Sequence, residues 1–444
     1  MHLEGQKRLG SGAVIALILM LCFFPPFTTD MFLSDMPNMA LELGADPSVM
    51  NMVLYGFMLS LAVSILIFGP ITDRYGRRPV LIFALIEYNI VSILGSQSQD
   101  VYVLILFRVL QGVGAGACMT VSTALIKDCF QGPMMKKVLN ISAVLGVLAP
   151  IIAPILGSWI ISVSDWRMTM IVPTVLGIIC LVMSLLLTET VSEEDRRRSS
   201  VMGNFGETAT ILKDRAFTVF LLMMTVFNAC FMAYLSVSSY IYEDYFGLTP
   251  MEYAMFLAMA LIGGTLLMIP LNRIGAKIGR IRSFGLYLAV MLLASALMLT
   301  IGGRGDIVFL IAFLPCITVT TAIRPFGMGL IMASRDGDNG LVSALINFMM
   351  FVMGVAGMVC STMFGDYVDG LGIIMLVSSA VYIVLWVALK RMGYSRIRSL
   401  APRSRGQGPP GGGLPGQDIT SWILCRASRR RGPRRTSTIL LSSS

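Results

Sequence analysis

The sequence predicts an all-α membrane protein in which twelve transmembrane helices form two pseudo-symmetric six-helix bundles. Three observations predict this class. Of the 444 residues, 56% are hydrophobic and only 13% are charged, which is too apolar a composition for a water-soluble domain. Twelve apolar stretches are long enough to cross a hydrocarbon core of about 30 Å as helices. One long hydrophilic segment, 189–215, separates six of these stretches from the other six.

The twelve stretches are delimited by short polar loops. The predicted spans are 9–32, 48–71, 79–95, 101–126, 138–162, 168–187, 217–241, 253–271, 284–302, 307–333, 341–364 and 371–389. The first stretch is followed by TTDMFLSDMP rather than by a small-residue cleavage site. It therefore indicates a retained helix and not a signal peptide.

The predicted domains follow from this division. They are an N-terminal bundle at 1–188, a cytoplasmic linker at 189–215, a C-terminal bundle at 216–392 and a basic cytoplasmic tail at 393–444. The tail is rich in Gly, Pro, Ser and Arg and cannot bury enough apolar surface to order itself. We therefore expect it to be disordered.

The formal charge of +9 comes from the tail, which holds ten arginines and one acidic residue. Because the excess charge is confined there, it gives no support to nucleic-acid binding. In the remaining loops, twenty basic residues fall on one side of the predicted membrane, and only Arg167 and Arg304 fall on the other. Lys and Arg are retained on the cytoplasmic side, so both termini are predicted to be cytoplasmic.

The residues that usually carry cofactors or catalysis are sparse. The only histidine is His2, and the eight cysteines are scattered without a CxxC pair. The sequence therefore predicts no metal site, no cofactor, no disulfide framework and no enzymatic triad. A membrane enzyme would need a clustered constellation, and a receptor would usually bring a folded output domain.

Three matches between the first and second halves of the chain, four residue pairs in all, indicate duplicated halves. They are Gly76 with Gly279 at an offset of 203, Gly146 and Gly157 with Gly354 and Gly365 at an offset of 208, and Arg108 with Arg324.

The loop GPITDRYGRRP (69–79), between the second and third spans, is the most specific pattern in the chain. Gly69 and Gly76 supply backbone freedom in a very short connection, and Pro79 begins the next helix in its first turn. Asp73 is expected to accept hydrogen bonds from helix N-terminal amides or from a guanidinium group. The basic residues of the loop are Arg74, Arg77 and Arg78. The cluster is either a charge latch that breaks when the bundles move or a plain positive-inside loop.

With this G-x-x-x-D-R-x-G-R-R pattern, the sequence resembles the major facilitator superfamily over roughly residues 10–392. Within it, the chain is similar to the bicyclomycin resistance and chloramphenicol efflux (Bcr/CflA) group of drug/proton antiporters. The segments that carry this resemblance are TTDMFLSDMP, GPITDRYGRRPV, FRVLQGVGAGA, LIKDCF and LAPIIAPILGSWI.

The resemblance implies the major facilitator fold and proton-driven export of chloramphenicol- or bicyclomycin-like compounds across the bacterial inner membrane. The implied partners are a small-molecule substrate, protons and the lipid bilayer, and the implied assembly is a monomer. The family pattern also implies that Asp128 completes the latch with Arg77 or Arg78.

The fifth span carries Gly146, Pro150, Pro154 and Gly157 in a pattern that bends a helix and permits close packing. By resemblance, this is the antiporter motif that seals the cavity. A packing kink without a coupling role is the alternative.

Three ionisable residues within the spans are candidates for proton coupling. Asp30 lies among apolar residues and is expected to bind a proton from outside and exchange it against substrate. The alternative is that Asp30 is an outer helix-end residue, like Asp35. Arg108 is expected to face a cavity, because a charge at mid-depth costs at least about 2.5 to 3.5 kcal/mol, or to snorkel to the outer surface. By resemblance, Arg108 is associated with proton transfer. Glu87 departs from the family pattern and either pairs with Arg108, assists protonation or is peripheral.

Candidates for substrate contact are Tyr55, Asn228, Tyr234, Arg324 and Asn347. Arg324 departs from the family and suits an anionic or polar part of a substrate. Besides drug export, the same fold admits a proton-coupled uptake symporter or a metabolite exporter.

Overall fold

The computed structural model describes residues 9–191, 193–198, 206, 210–334 and 339–392. The predicted tail, 393–444, and part of the predicted linker lie outside the described residues. Within the described part of the chain, all regular structure is helical.

Among the described residues, twelve helical segments are long and apolar enough to cross a membrane. The spans contain the helices Ser11–Asp30, Met52–Tyr75, Arg77–Ser96, Val101–Cys129, Gly132–Val163, Met168–Leu186, Arg215–Thr225 with Asn228–Ser239, Pro250–Ile278, Arg280–Ile301, Asp306–Ser334, Asn339–Ser361 and Tyr367–Arg391. The prediction of an all-α membrane protein with twelve spans is confirmed.

Polar residues begin several of these helices. The carboxylate of Asp100 accepts hydrogen bonds from the amides of Tyr102 and Val103 at the start of the fourth span. Thr249 and Glu252 cap each other's backbone amides at the start of the eighth span. Such caps satisfy amides that have no partner inside the helix. The positions where the helices start are therefore determined by local polar residues. The interiors of the helices are apolar because they lie in the membrane, where the backbone groups must bond within the helix.

The first and seventh spans are interrupted. The first helix ends at Asp30 and continues through the 3-10 turn Leu33–Asp35 into the short helix Met36–Glu42. The seventh span breaks between Thr225 and Asn228 and ends in the π-helical turn 240–245. By contrast, the fifth span, for which the Pro and Gly pattern predicts a bend, is one continuous helix from Gly132 to Val163, with Pro150 and Pro154 inside it.

The contacts between spans are repeated in the two halves. The first span packs on the fifth, the second on the fourth and the third on the sixth. In the second half, the seventh packs on the eleventh, the eighth on the tenth and the ninth on the twelfth. Across the halves, the second span contacts the eleventh and the fifth contacts the eighth. Each contact thus has a partner six spans away, as expected for pseudo-symmetric halves.

The two short turns that follow the second and eighth spans have the same backbone conformation. Gly76 has φ 100° and ψ 158°, and Gly279 has φ 92° and ψ 152°. A positive φ of this size favours glycine. The sequence match of these two glycines is therefore a true structural equivalence.

The predicted register between the fifth and eleventh spans is wrong. Gly157 packs against the backbone carbonyl of Met31, and the residue that makes this contact in the second half is Gly357, against the carbonyl of Ala229. Among the described residues, nothing lies near the position of a side chain on Gly365. Glycine is frequent in the eleventh span, so composition alone offered several registers.

The proposed match of Arg108 with Arg324 is also wrong. Arg108 lies seven residues after the start of its helix, about 10 Å along the axis, whereas Arg324 lies about 27 Å along its helix. The residue at the depth of Arg108 in the tenth span is Phe313.

The two ends of the molecule differ. The end that carries Arg77, Arg78 and Lys127 is here called the basic end, and the end that carries Asp46, Asp100 and Asp165 is called the opposite end. At the opposite end the halves touch: Ser236 donates to Asn51 Oδ1 at 2.7 Å, and Ser158 donates to the carbonyl of Pro250 at 2.9 Å. Toward the basic end, no residue from 139 to 148 of the fifth span is buried.

Candidate functional site

Asp30 lies at the last residue of the first helix, and its side chain is 4% exposed. The helix breaks there, and Gly157 of the fifth span packs on the carbonyl of the next residue, Met31. This close contact fixes the break against the fifth helix. It places a titratable group in the interior of the N-terminal half.

Arg108 is 1% exposed and has aromatic faces on two sides. Its guanidinium carbon lies 4.8 Å from the ring centre of Phe32 and 4.6 Å from that of Phe57. Rings in this position attract a cation through their quadrupole. This burial excludes the snorkelling alternative, and it also differs from the expectation that the side chain faces an open cavity.

Arg108 also begins a short chain of polar contacts. Its Nη1 donates to Gln111 Oε1 at 2.7 Å, and Gln111 Nε2 donates to Ser92 Oγ at 2.7 Å. The Nε and Nη2 groups of Arg108 are buried without a hydrogen-bond partner among the described residues. Nearby, the hydroxyl groups of Thr28 and Tyr88 lie 2.8 Å apart. The first, third and fourth spans are therefore joined by polar side chains within an apolar core.

Asp30 and Arg108 lie within electrostatic reach of each other but do not form an ion pair in the described structure. Among the described residues, the Nε and Nη2 groups of Arg108 remain available to donate hydrogen bonds to such a partner. The geometry thus provides a buried cation with unused donors and, within electrostatic reach, a buried carboxyl group.

Glu87 does not pair with Arg108. Its carboxylate lies against Gly114 of the fourth span, where a side chain on Gly114 would overlap the oxygen Oε2. Within the described part of the structure, neither carboxylate oxygen has a hydrogen-bond partner, and both are buried. Gly114 lies six residues beyond Arg108, nearly two helical turns away.

The charged loop at the basic end forms a network within the N-terminal half. Arg77 contacts Asp73 at 2.5 Å and Asp128 at 3.1 Å. Of the two partners considered for Asp73, the guanidinium group is the one observed. Arg78 donates to the carbonyl of Leu185 at 2.8 Å. Arg74 is exposed and only approaches the ring of its neighbour, Tyr75.

The amides at the start of the third span are capped by Glu189, a residue that the sequence reasoning missed. Its two oxygens accept from the amides of Arg77 and Arg78 at 2.9 and 3.0 Å. An anion is favoured at a helix N-terminus. Gly76 is packed so closely on this carboxylate that any side chain there would overlap it. Only its position at the start of the predicted linker hinted at such a role.

Of the other loop and fifth-span glycines, Gly69 and Gly146 have open space around the position of a side chain among the described residues. Pro150 is partly buried and Pro154 is buried. The carbonyl of Pro154 accepts from Ser34 at 2.9 Å, which ties the fifth span to the turn after Asp30.

The candidates for substrate contact are dispersed. Arg324 is exposed and donates to Asn347 Oδ1 at 3.3 Å. Tyr55 is half-buried beside the contact of the second and eleventh spans. Tyr234 is fully buried and stacks on Phe313 at 4.1 Å. Its position is that of a packing residue in this conformation.

Asn228 is the counterpart of Asp30 in the second half. Each residue directly precedes the one whose carbonyl contacts a glycine, Met31 in one half and Ala229 in the other. Asn228 Nδ2 donates to the carbonyl of Met350 at 2.7 Å. The same helix crossing therefore holds a titratable carboxyl group in one half and a fixed amide in the other. Sequence alone did not reveal this pairing, because the register was unknown.

Comparisons with known proteins agree with this architecture. The family model of the Major Facilitator Superfamily matches residues 15–358 of the chain. The chain is 27% identical to the uncharacterized MFS-type transporter YdgK of Bacillus subtilis (strain 168) over 359 residues, which cover 79% of this chain and 88% of YdgK. It is 28% identical to the multidrug resistance protein MdtL of Salmonella paratyphi C over 249 residues, which cover 55% of this chain and 61% of MdtL. The fold is similar to that of a D-xylose-proton symporter, with a TM-score of 0.63 and 13% identity over 89% of this chain and 98% of that one.

The protein is therefore a multi-pass integral membrane transporter. The chain belongs to the Major Facilitator Superfamily.

Proposed function

We propose that the protein exports small, mostly apolar molecules across the bacterial inner membrane in exchange for protons, as a drug/proton antiporter of the Bcr/CflA group. The observation that carries this proposal is the arrangement of Asp30 and Arg108, a buried carboxyl group and a buried cation that are close but unpaired. The relative MdtL, which is named as a multidrug resistance protein, supports the direction of transport.

The coupling follows from the cost of buried charge. An ionised Asp30 without a partner is costly in an apolar interior, so it either binds a proton or pairs with Arg108. The unpaired arrangement is the one expected of a protonated Asp30. Loss of the proton would draw the carboxylate toward the unused donors of Arg108 and pull on the first helix, whose end is Asp30.

Alternating access connects this event to transport. The contacts of Asn51 with Ser236 and of Ser158 with Pro250 close the opposite end, which is the arrangement expected of a transporter in the state that faces the basic end. In this proposal the basic end and both termini are cytoplasmic, substrate enters from there, and Asp30 receives its proton from the opposite side. The exporter acts as a monomer.

The remaining candidates have supporting roles in this scheme. The network of Arg77 with Asp73 and Asp128 holds the second, third and fourth spans together and serves as a latch during the movement. Arg324 and Asn347 form a polar contact that suits a polar group of the substrate. Glu87 carries a proton of its own, since it has no cation to pair with in the described structure.

Transport by purified protein in proteoliposomes tests the proposal. With an imposed pH gradient and a panel of chloramphenicol-like compounds, the wild type should move substrate against its concentration gradient. Asp30→Asn should abolish this gradient-driven accumulation while retaining downhill exchange, because the asparagine neither binds nor releases a proton. The exposed Asp46→Asn is the matched control and should behave as the wild type.

Unchanged pH-driven transport by Asp30→Asn would overturn the role of Asp30. The same assay distinguishes the alternatives. Substrate that moves in the same direction as protons would indicate an uptake symporter, and activity confined to a metabolite in the panel would indicate a metabolite exporter. The Pro and Gly pattern of the fifth span favours the antiporter.

A further inference from the structure

A buried carboxyl group of one half and a partly buried carboxyl group of the other lie on neighbouring segments at the closed opposite end. Asp35 lies in the turn after the first helix and is 5% exposed, and Glu243 lies in the π-helical turn at the end of the seventh span. The short helix Met36–Glu42, which directly follows Asp35, contacts this π-helical turn. The two carboxyl groups lie within electrostatic reach of each other. Closure of this end therefore brings two acids together.

Two polar groups at this site lack a hydrogen-bond partner among the described residues. The Oε1 atom of Glu243 is buried without a hydrogen-bond partner among the described residues. The hydroxyl group of Tyr240, a residue only 3% exposed, also lacks a partner there and lies within electrostatic reach of Glu243 and Asp244. A π-helical turn is rare and frequently marks a functional site. The site thus has unused hydrogen-bonding capacity around a carboxyl group.

Of the two basic residues of this end, Arg167 and Arg304, the first is engaged elsewhere. Arg167 contacts Glu42 at 2.8 Å and Asp165 at 2.6 Å. Burial opposes the charge of Arg167, but the hydrogen bonds and charges of these two carboxylates outweigh it and raise its pKa. Arg304 is exposed after the ninth span. Neither guanidinium group is paired with Asp35 or Glu243 in the described structure.

The other groups that face the pair do not neutralise it. Asn38 donates to Asp35 Oδ1 at 2.8 Å, and Glu42 and Asp165 add further negative charge near Asp35. The buried Tyr253 lies within electrostatic reach of both Glu243 and Asp30. Among the described residues, no group of three or more acidic, histidine or cysteine side chains is suited to a metal ion. The ligand that fits this site is a proton.

We propose that Asp35 and Glu243 form a proton site shared between the two halves, which is occupied when the opposite end is closed and empties to solvent when it opens. Two carboxylates in one dry site cannot both stay ionised, because each loses water and repels the other. Opening wets them and lets both ionise. The charge then favours the open state through repulsion between the halves.

This site has a different role from Asp30. Its protons are taken up and released at the same end of the molecule, so they change the balance between closed and open states without adding to the protons moved per substrate. Acid outside the cell would favour closure of the opposite end and return the transporter to the state that faces the basic end. The proposal rests on alternating access but not on the role of Asp30.

The experiment measures opening of the opposite end in lipid nanodiscs. Spin labels on Leu41→Cys and Met363→Cys, both exposed at this end, report the distance between the halves, with Cys360 and Cys425 replaced by alanine. Across roughly pH 5 to 8, this otherwise unaltered protein should pass from mostly closed to more open as pH rises. Glu243→Gln imitates the protonated acid and should raise the ratio of closed to open molecules at neutral pH by at least about tenfold.

Controls separate the proposal from a general charge effect. Asp35→Asn, which keeps an acceptor for Asn38, should flatten the pH profile as Glu243→Gln does, and the exposed Asp244→Asn should leave it unchanged. The number of protons that Glu243→Gln moves per substrate should equal that of the wild type. A pH profile of Glu243→Gln that matches the wild type would overturn the proposal, as would equal flattening by Asp244→Asn or a profile set by sodium instead of protons.

The two proposals fail in different ways. If Asp30→Asn keeps proton-driven transport while Glu243→Gln flattens the opening profile, the assignment of Asp30 is wrong and the shared proton site stands. If Asp30→Asn is uncoupled while the opening profile is unaffected by Glu243→Gln, the reverse holds.

Discussion

Gly157 packs so closely on the backbone carbonyl of Met31 that even a methyl side chain would overlap the oxygen. This contact sets the first and fifth helices at the point where the first helix ends at Asp30. The corresponding contact in the second half joins Gly357 to Ala229. Inside a bilayer the hydrophobic effect does not drive helices together, so their association depends on close packing. Small residues permit this packing because they let the helix backbones approach.

The first prediction concerns this crossing. Gly157→Ala should lower stability by about 1 to 3 kcal/mol, because the backbone of the first span cannot yield without shifting, and it should reduce transport more than tenfold by displacing Asp30. The melting temperature in detergent and the initial transport rate measure the two effects. Gly146→Ala, on the same helix but with open space among the described residues, should change neither. If the two variants had equal melting temperatures and transport rates, the contact of Gly157 with Met31 would not position Asp30 as proposed.

The second prediction compares the two equivalent turns. Gly76→Ala and Gly279→Ala each force alanine to a positive φ, at a cost of about 1 to 3 kcal/mol. Gly76→Ala should cost more, because its side chain also overlaps the carboxylate of Glu189. Thermal unfolding measures the difference.

A double variant isolates the overlap. Glu189→Ala removes the carboxylate, so its combination with Gly76→Ala should be less harmful than the sum of the single changes. Strict additivity would show that backbone strain alone explains the effect of Gly76→Ala.

The third prediction addresses the latch. Arg77→Gln removes the ion pairs with Asp73 and Asp128 and should lower stability by about 1 kcal/mol, since both acids are partly exposed. In the proposed cycle the network also breaks and reforms. The transport rate of Arg77→Gln should therefore fall by more than its loss of stability explains. Arg74→Gln is the matched control, because Arg74 is exposed in the same loop. Similar transport rates for both variants would argue for a plain positive-inside loop.

The fourth prediction concerns the orientation of Arg108. Gln111→Leu removes the acceptor of Nη1 and the bond to Ser92, which leaves a third donor of the guanidinium group unsatisfied. We expect proton-driven transport to fall about tenfold, equivalent to about 1.4 kcal/mol in the coupled step, while downhill exchange falls less. Gln97→Leu, at an exposed helix end, should leave both activities unchanged. A proportional loss of both activities would indicate a purely structural role.

Most of the fold could be predicted from the sequence. Backbone groups must be satisfied within each membrane segment, so twelve apolar stretches of sufficient length can only be helices. Gly76 and Gly279 were matched correctly because their turns need the same backbone conformation. The glycine matches in the fifth and eleventh spans failed, because glycine there acts through contact with another helix, which a single sequence does not contain.

The candidate site shows the same division. The sequence by itself determined that Asp30 and Arg108 are ionisable groups within apolar helices. Charge is so costly there that a functional role is expected for both residues. Only the tertiary structure decided which groups face each other: Arg108 with Phe32 and Phe57, and Glu189 with the start of the third span. It also decided that the helix after Asp35 contacts the π-helical turn that holds Glu243. Hydropathy is a property of each residue, so the sequence alone is enough to locate the membrane spans. Pairing depends on helix rotation and register across distant segments, and these are set by packing.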